Sequence, residues 1–372
     1  MTDKNSHIGL YLHIPFCSKK CAYCDFYSAF YSEDTVKKYT SALIKSIEKW
    51  GGLINRPIDT IYLGGGTPSL LKENIIPLIS TVKSNFVISP DAEITMEINP
   101  CKEPEDILGF AKQAGVNRLS VGIQSGNDSE LKILGRTHSC QDAENTFKTA
   151  RKLGFKNISA DIMLGLPYSD FSALKNSIDF LISLEPEHIS AYLLKIEENT
   201  LFFKEKKRLA LPDEDIQAEQ YLFLCDELEK QGYRHYEISN FCKDGFASRH
   251  NTKYWMCEEY LGLGPSAHSF IDGKRFYYPR DLAGFIKGNE PVFDSYGGDE
   301  NEYIMLSLRL DTGISFSLYK ETFGKEFPES SIKKARLFEK AGHIRFFKDG
   351  FALTNKGMLV SNSIIAQLEN EL

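Results

Sequence analysis

The sequence predicts an α/β protein in which six strand–helix units in series build a parallel sheet. Three observations carry this. Short apolar runs rich in β-branched residues recur at 8–14, 58–64, 92–98, 118–124, 158–164 and 188–194. Between them lie longer stretches with apolar residues at three- and four-residue steps, the period of a helix packed on one face. Polar or glycine-bearing motifs follow the runs, where strand-to-helix loops gather ligands in such folds. Parallel strands need long crossovers, and these stretches supply them. The pattern alone fits an open doubly wound sheet or an incomplete barrel.

The first run, IGLYLHI, leads into HIPFC; a helix follows from Glu33 to Trp50, with Val36, Tyr39, Leu43, Ile47 and Trp50 on one face. The second run closes on GGGTP and precedes a helix at about 72–86. The third, AEITMEI, ends near Glu97 and the pair Asn99-Pro100; its helix, 104–115, closes on Ala114-Gly115, as suits a helix C-terminus. The fourth brings Gln124 and a helix at 141–154; the fifth carries Asp161 and a helix at 170–184. Asp161 and Gln124 lie within apolar strands, where a polar side chain needs a partner.

After about residue 197 the periodicity changes. A charged connection containing Pro212 leads to a long helix at about 214–231. Residues 240–300 are rich in glycine and aromatics and fit no clear pattern. From Glu302 helices return, then a hairpin turning at Asp349-Gly350, then a closing helix. That order suggests a small, mostly helical, winged-helix-like C-terminal domain. The expected division is 1–240, a connecting region 241–300, and 301–372.

Of 372 residues, 42% are hydrophobic and 26% charged, which excludes wholesale disorder. The net charge of −7 argues against a broad nucleic-acid footprint. No apolar run is long enough to span a bilayer, and the N-terminus lacks a secretory signal, so a cytoplasmic protein is expected. Its eight cysteines should then be thiols or metal ligands.

Cys17, Cys21 and Cys24 form C-x3-C-x2-C directly after the first strand. Three thiolates so close can hold three irons of a cubane, leaving the fourth open to a small molecule. Zinc usually wants four ligands, and no second C-x2-C or suitably spaced histidine is present. Three exposed free thiols would invite oxidation.

With Tyr23 before the last cysteine and GGGTP at 64–68, the chain resembles the radical S-adenosylmethionine (SAM) superfamily. That resemblance implies an incomplete (β/α)6 barrel, a [4Fe-4S] cluster on the three cysteines, and SAM. LYLHIPFCSKKCAYCDF, YLGGGTPS, MEINP, LSVGIQS, ADIMLGLP and YLGLGPSAHSF further resemble the oxygen-independent coproporphyrinogen III oxidase group, over nearly the whole chain. By motif, Tyr11, Gly65 and Glu97 would contact the cluster-bound SAM. Tyr23, Gly66, Thr67, Gln124, Arg136 and Asp161 match positions for a second SAM, with Arg136 suited to a carboxylate.

Two departures point to the haem chaperones related to that group. Phe26 stands where the oxidase reads a fourth cysteine, and the oxidase's longer N-terminal arm is missing. HNTKYW, 250–255, matches a signature of those chaperones. It implies haem contact by His250, Asn251, Tyr254 and Trp255, with Lys253 and Arg249 available to the propionates. His268 is a weaker candidate for lining the pocket. The expected function is uptake of haem and delivery to apo-haemoproteins such as respiratory cytochromes, without coproporphyrinogen oxidation. The alternative is the oxidase itself, decarboxylating coproporphyrinogen III to protoporphyrinogen IX. Implied partners are haem, apo-haemoproteins of the respiratory chain and a second copy of the chain. Any membrane contact would be peripheral and made through partners.

Overall fold

The computed structural model describes residues 7–371. Six parallel strands follow the expected runs: β1 (Ile8–Ile14), β2 (Ile58–Gly65), β3 (Ile88–Ile98), β4 (Arg118–Gln124), β5 (Ile158–Leu164) and β6 (His188–Leu193). Helices connect them: α1 (Glu33–Gly51), α2 (Ile75–Asn85), α3 (Glu105–Ala114), α4 (Cys140–Lys152) and α5 (Phe171–Ser183). Local signals set their ends. Ser32 caps α1 by accepting from the Thr35 amide, and Ser139 and Asp142 form a reciprocal capping box on α4. Gly115 closes α3 in the left-handed conformation.

The second half enlarges the same sheet. α6 (Leu201–Glu205) and α7 (Glu214–Lys230) precede β7 (Arg234–Glu237) and β8 (Asn240–Cys242); then come α8 (Arg249–Trp255), β9 (Tyr260–Leu263), β10 (His268–Ile271), β11 (Lys274–Tyr277) and β12 (Val292–Tyr296). The twelve strands run β12-β11-β10-β9-β1-β2-β3-β4-β5-β6-β8-β7. β9 pairs parallel to β1, a seventh parallel strand that the sequence pattern did not reveal. The segment 241–300, expected as a connecting region, therefore supplies strands at both ends of the main sheet.

The C-terminal part contains α9 (Glu300–Ser307), β13 (Ile314–Ser315), α10 (Phe316–Phe323), α11 (Glu329–Lys340), β14 (Ile344–Phe347), β15 (Gly350–Leu353) and α12 (Ser361–Glu369). The order β13-β15-β14 beside these helices is the winged-helix-like arrangement expected, and the hairpin turns at Lys348 and Asp349.

Along the parallel strands the side chains alternate. Leu10, Leu12, Ile61, Leu63, Ile94, Met96, Leu119, Val121, Ala160 and Ile162 join the main apolar core with the helices. Full burial of one such Leu or Ile contributes about 1.5–3 kcal/mol. The intervening positions are mostly polar or aromatic: Tyr11, Thr60, Tyr62, Glu93, Glu97, Arg118, Ser120, Asp161 and Ser190. They share one inner face, where Tyr62 on β2 feels the charges of Arg118 on β4 and Asp161 on β5. At the N-terminal ends of the strands α8 covers this lumen, because the Arg249 and His250 amides donate to Glu93, each at 3.2 Å.

Gly9 lets α8 approach. A Cβ there would lie 3.0 Å from Thr60 Oγ1 and 3.1 Å from the His250 ring. Gly9→Ala should cost about 1–3 kcal/mol through overpacking. Thermal unfolding followed by circular dichroism should show a lowered midpoint; an unchanged one would mean that the α8 contact is slack.

Candidate functional site

The three cysteines lie in the loop after β1, at the C-terminal edge of the parallel sheet. The loop is held from several sides. Phe16–Cys17 pairs with Ala29–Phe30 in a two-residue ladder, and the Ala22 amide donates to the Leu134 carbonyl at 3.1 Å. On its outer side the Phe202 amide of α6 donates to the Ala22 carbonyl at 2.9 Å. Ala22, Leu134, Met163, Leu166, Leu194 and Phe202 form a satellite core beneath it, with Tyr23 packed against them.

A chain of hydrogen bonds joins two of the thiols through the sheet edge. Thr67 Oγ1 donates to Cys17 Sγ at 3.8 Å, and Asn99 Nδ2 donates to Thr67 Oγ1 at 3.1 Å. Arg136 Nη2 donates to Asn99 Oδ1 at 2.5 Å and to the Gly122 carbonyl at 2.7 Å, while Nη1 reaches Cys21 Sγ at 3.5 Å. Burial raises the Cys17 and Cys24 thiols above their ordinary range. Donors aimed at sulfur suit thiolates ligating a metal cluster, whose charge and potential such bonds tune. The three cysteines therefore fit a [4Fe-4S] cluster. Arg136 Nε is buried and without a partner.

Among the expected SAM contacts, Glu97 is fixed most tightly. Its Oε1 accepts from Tyr62 Oη at 2.9 Å and its Oε2 from the Gly65 amide at 3.0 Å. Gly65 has a φ of 110°, and a Cβ there would strike the His13 ring. Only glycine turns the amide toward Glu97 at that point. Burial pushes the Glu97 carboxyl up to about 7, against the two hydrogen bonds. Tyr11 Oη bonds His13 Nδ1 at 3.0 Å, and His13 Nε2 bonds the Tyr27 carbonyl. Deeper in the lumen, Asp161 accepts from Ser120 and Ser159, and burial raises its carboxyl too. Gln124 ends β4 with a φ of 75°, unusual for a side chain of its size. Gly66 follows Gly65, its amide donating to the Ile14 carbonyl. Tyr11, Gly65, Glu97, Thr67, Gln124, Arg136 and Asp161 thus converge on the lumen and its mouth. Tyr23 stands beside Arg136, its phenol raised mainly by burial.

The residues expected to meet haem are placed differently. His250 is 1% exposed. Its Nδ1 bonds Thr60 Oγ1 and its Nε2 bonds Tyr254 Oη, both at 2.8 Å. As folded, the ring offers no free nitrogen to an iron. Lys253 is buried against Asp59 (3.0 Å) and Glu258 (2.7 Å), and Arg249 pairs with Asp91 at 3.3 Å. Lys253 is thus committed to two carboxylates, whereas Arg249 stays exposed. Asn251, Tyr254 and Trp255 are half-buried on the same helix. His268 is exposed at the start of β10 and stacks on Tyr277 at 5.3 Å. Desolvation lowers its pKa, with the Arg280 and Arg275 charges acting in the same direction and Asp294 against them. Sequence reasoning missed Asn99 and Tyr62 as site residues. Asn99 follows Glu97 within MEINP, the only signal that could have found it.

Residues 11–181 match the model of the radical SAM superfamily, and residues 301–360 match that of the HemN C-terminal domain. A Bacillus subtilis protein curated as "Heme chaperone HemW" is 35% identical over 97% of this chain and 99% of its own length. A Lactococcus lactis protein of the same name is 31% identical over 93% of this chain and 94% of its own. The chain belongs to the HemW family of radical SAM proteins. In fold it is similar to the solved Escherichia coli coproporphyrinogen III oxidase HemN, with a TM-score of 0.86 at 21% identity over 100% of this chain and 92% of that one.

Glu97 offers a direct check of the lumen's electrostatics. Its folded pKa near 7 lies above the ordinary 4.5, so folding takes up a proton between those values. The carboxylate's cost is absent below about pH 4.5 and complete above about pH 7. Without ligand, Glu97→Gln should gain on the order of 3 kcal/mol relative to the parent between pH 4.5 and pH 8. The gain should shrink as pH falls toward 4.5. Urea unfolding across that range measures it; a gain independent of pH would contradict the assignment.

Proposed function

We propose that this protein is a haem chaperone: it takes up haem and hands it to apo-haemoproteins such as respiratory cytochromes. One observation carries the reading: full-length similarity to curated haem chaperones of the HemW name, at 31–35% identity. Phe26 supports it, standing exposed where the oxidase resemblance calls for a cysteine. The likeness to the oxidase structure concerns the fold alone. Cytoplasmic residence is part of the proposal; no helix among the described residues is long and apolar enough to cross a membrane.

In this reading Cys17, Cys21 and Cys24 hold the cluster, with Thr67 and Arg136 donating to its sulfur ligands. The cluster, when bound and reduced, supplies an electron that can cleave SAM. Glu97 and the Gly65 turn hold SAM's positive end, and Arg136 Nε faces a ligand carboxylate. Haem needs a neutral imidazole and a flat apolar face. His268 with Tyr277 offers both at the surface, whereas ligation by His250 would first require α8 to leave the lumen. We therefore place the cargo against His268. Apo-haemoproteins and a second copy of this chain are the expected partners.

Anaerobically reconstituted protein should carry close to four irons, and a Cys17/Cys21/Cys24 triple alanine variant should lose the brown chromophore while staying folded. Haem should give a Soret band; coproporphyrinogen III with SAM and reductant should remain unconverted. Protoporphyrinogen IX well above the triple variant's background would restore the oxidase reading. His268→Ala should shift the Soret maximum at unchanged fold. If only His250→Ala shifts it, the cargo lies at α8 instead.

A further inference from the structure

We propose that His250 is a positioning residue of the SAM site: it braces Tyr62, which in turn fixes Glu97. The proposal rests on the reading that Glu97 contacts SAM, and it gives the HNTKYW histidine a task separate from haem. Three observations carry it. The His250 and Tyr62 rings stack with centroids 5.2 Å apart and planes at 29°. Tyr62 Oη donates to Glu97 Oε1 at 2.9 Å. His250 itself is locked at both ring nitrogens, by Thr60 from β2 and Tyr254 from its own helix. The main-chain amides at its position are held by Glu93 of β3. Every bond needed to hold the ring against Tyr62 is therefore present.

The consequence falls on Glu97. The groups facing it are Tyr62 on β2, Asp161 on β5, Arg118 on β4, Tyr11 on β1, Tyr192 on β6 and Tyr254 on α8. Tyr62 Oη and the Gly65 amide are its hydrogen-bond donors. If Tyr62 swings away, the carboxylate loses a bond while the Asp161 repulsion stays. Its proton is then held to higher pH, and a cationic ligand binds less well near neutrality. His250 belongs to another element and touches no expected SAM atom; it acts through Tyr62.

The test uses haem-free protein with its cluster reconstituted. SAM affinity is titrated by calorimetry between pH 5.5 and 9. Wild-type affinity should rise with pH through a midpoint near 7. Tyr62→Phe and His250→Ala should each weaken binding several-fold at pH 7 and move the midpoint up by about half a unit or more. His250→Phe, which keeps a flat ring against Tyr62 but loses the Thr60 and Tyr254 bonds, should restore only part of the affinity. The pH step in stability between each background and its Glu97→Gln partner reports the same carboxyl without SAM, and should move up likewise. A lowered melting temperature with both midpoints unmoved would reduce His250 to a packing residue and overturn the proposal. If wild-type protein binds no SAM, the SAM reading itself fails, and this proposal with it.

Discussion

Thr60, Glu93, Glu97, Arg118, Asp161 and His188 stand on the inner face of one curved sheet, and each is buried or half-buried. A buried polar group without a partner costs about 1–3 kcal/mol, and a charged one more. The outer face has the opposite task, sealing an apolar core under the helices. Strand alternation lets one sequence meet both demands, but only if the lumen's polar groups find partners. Ser120 and Ser159 serve Asp161, Ser159 bonds His188 at 2.7 Å, and α8 brings amides to Glu93. Arg118 stays incompletely satisfied, with Nε and Nη1 unbonded. The lumen is thus partnered from outside the barrel strands as much as from within.

At the other end of the strands the same economy links the cysteine loop to the sheet. Thr67, Asn99 and Arg136 come from three successive strand-end loops, yet form one path between Cys17 and Cys21. A disturbance at any of the three reaches both sulfurs. The side chains at the lumen mouth are therefore committed to the loop, and Arg136 Nε stays without a partner.

Much of this was legible in the sequence. The six runs and their helices follow from periodicity, and Cys17, Cys21, Cys24, Gly65 and Glu97 from motifs at strand ends. β9 was not, because YLGL is too short and too glycine-rich to stand out, and its pairing with β1 spans about 250 residues of chain. The surroundings of position 250 were not legible for a related reason. A histidine beside tyrosine and tryptophan looks like a ligand for a flat cofactor, but whether its ring faces solvent depends on Gly9 and Thr60, far away in sequence. His268 was named more weakly, although it is the more accessible ring.

β1 is the first strand among the described residues, and it lies between β2 and β9. On the ribosome it can pair with β2 once about sixty residues are out, but its other edge stays bare until residue 263 emerges. Until then the chain lacks both α8 and β9, so a strand edge is unpaired and the lumen has no cover. The residues of the cysteine loop and of the loops that bond it all precede position 210. The two ends of the lumen thus draw on separate parts of the chain: the mouth on the earlier, the floor on the later.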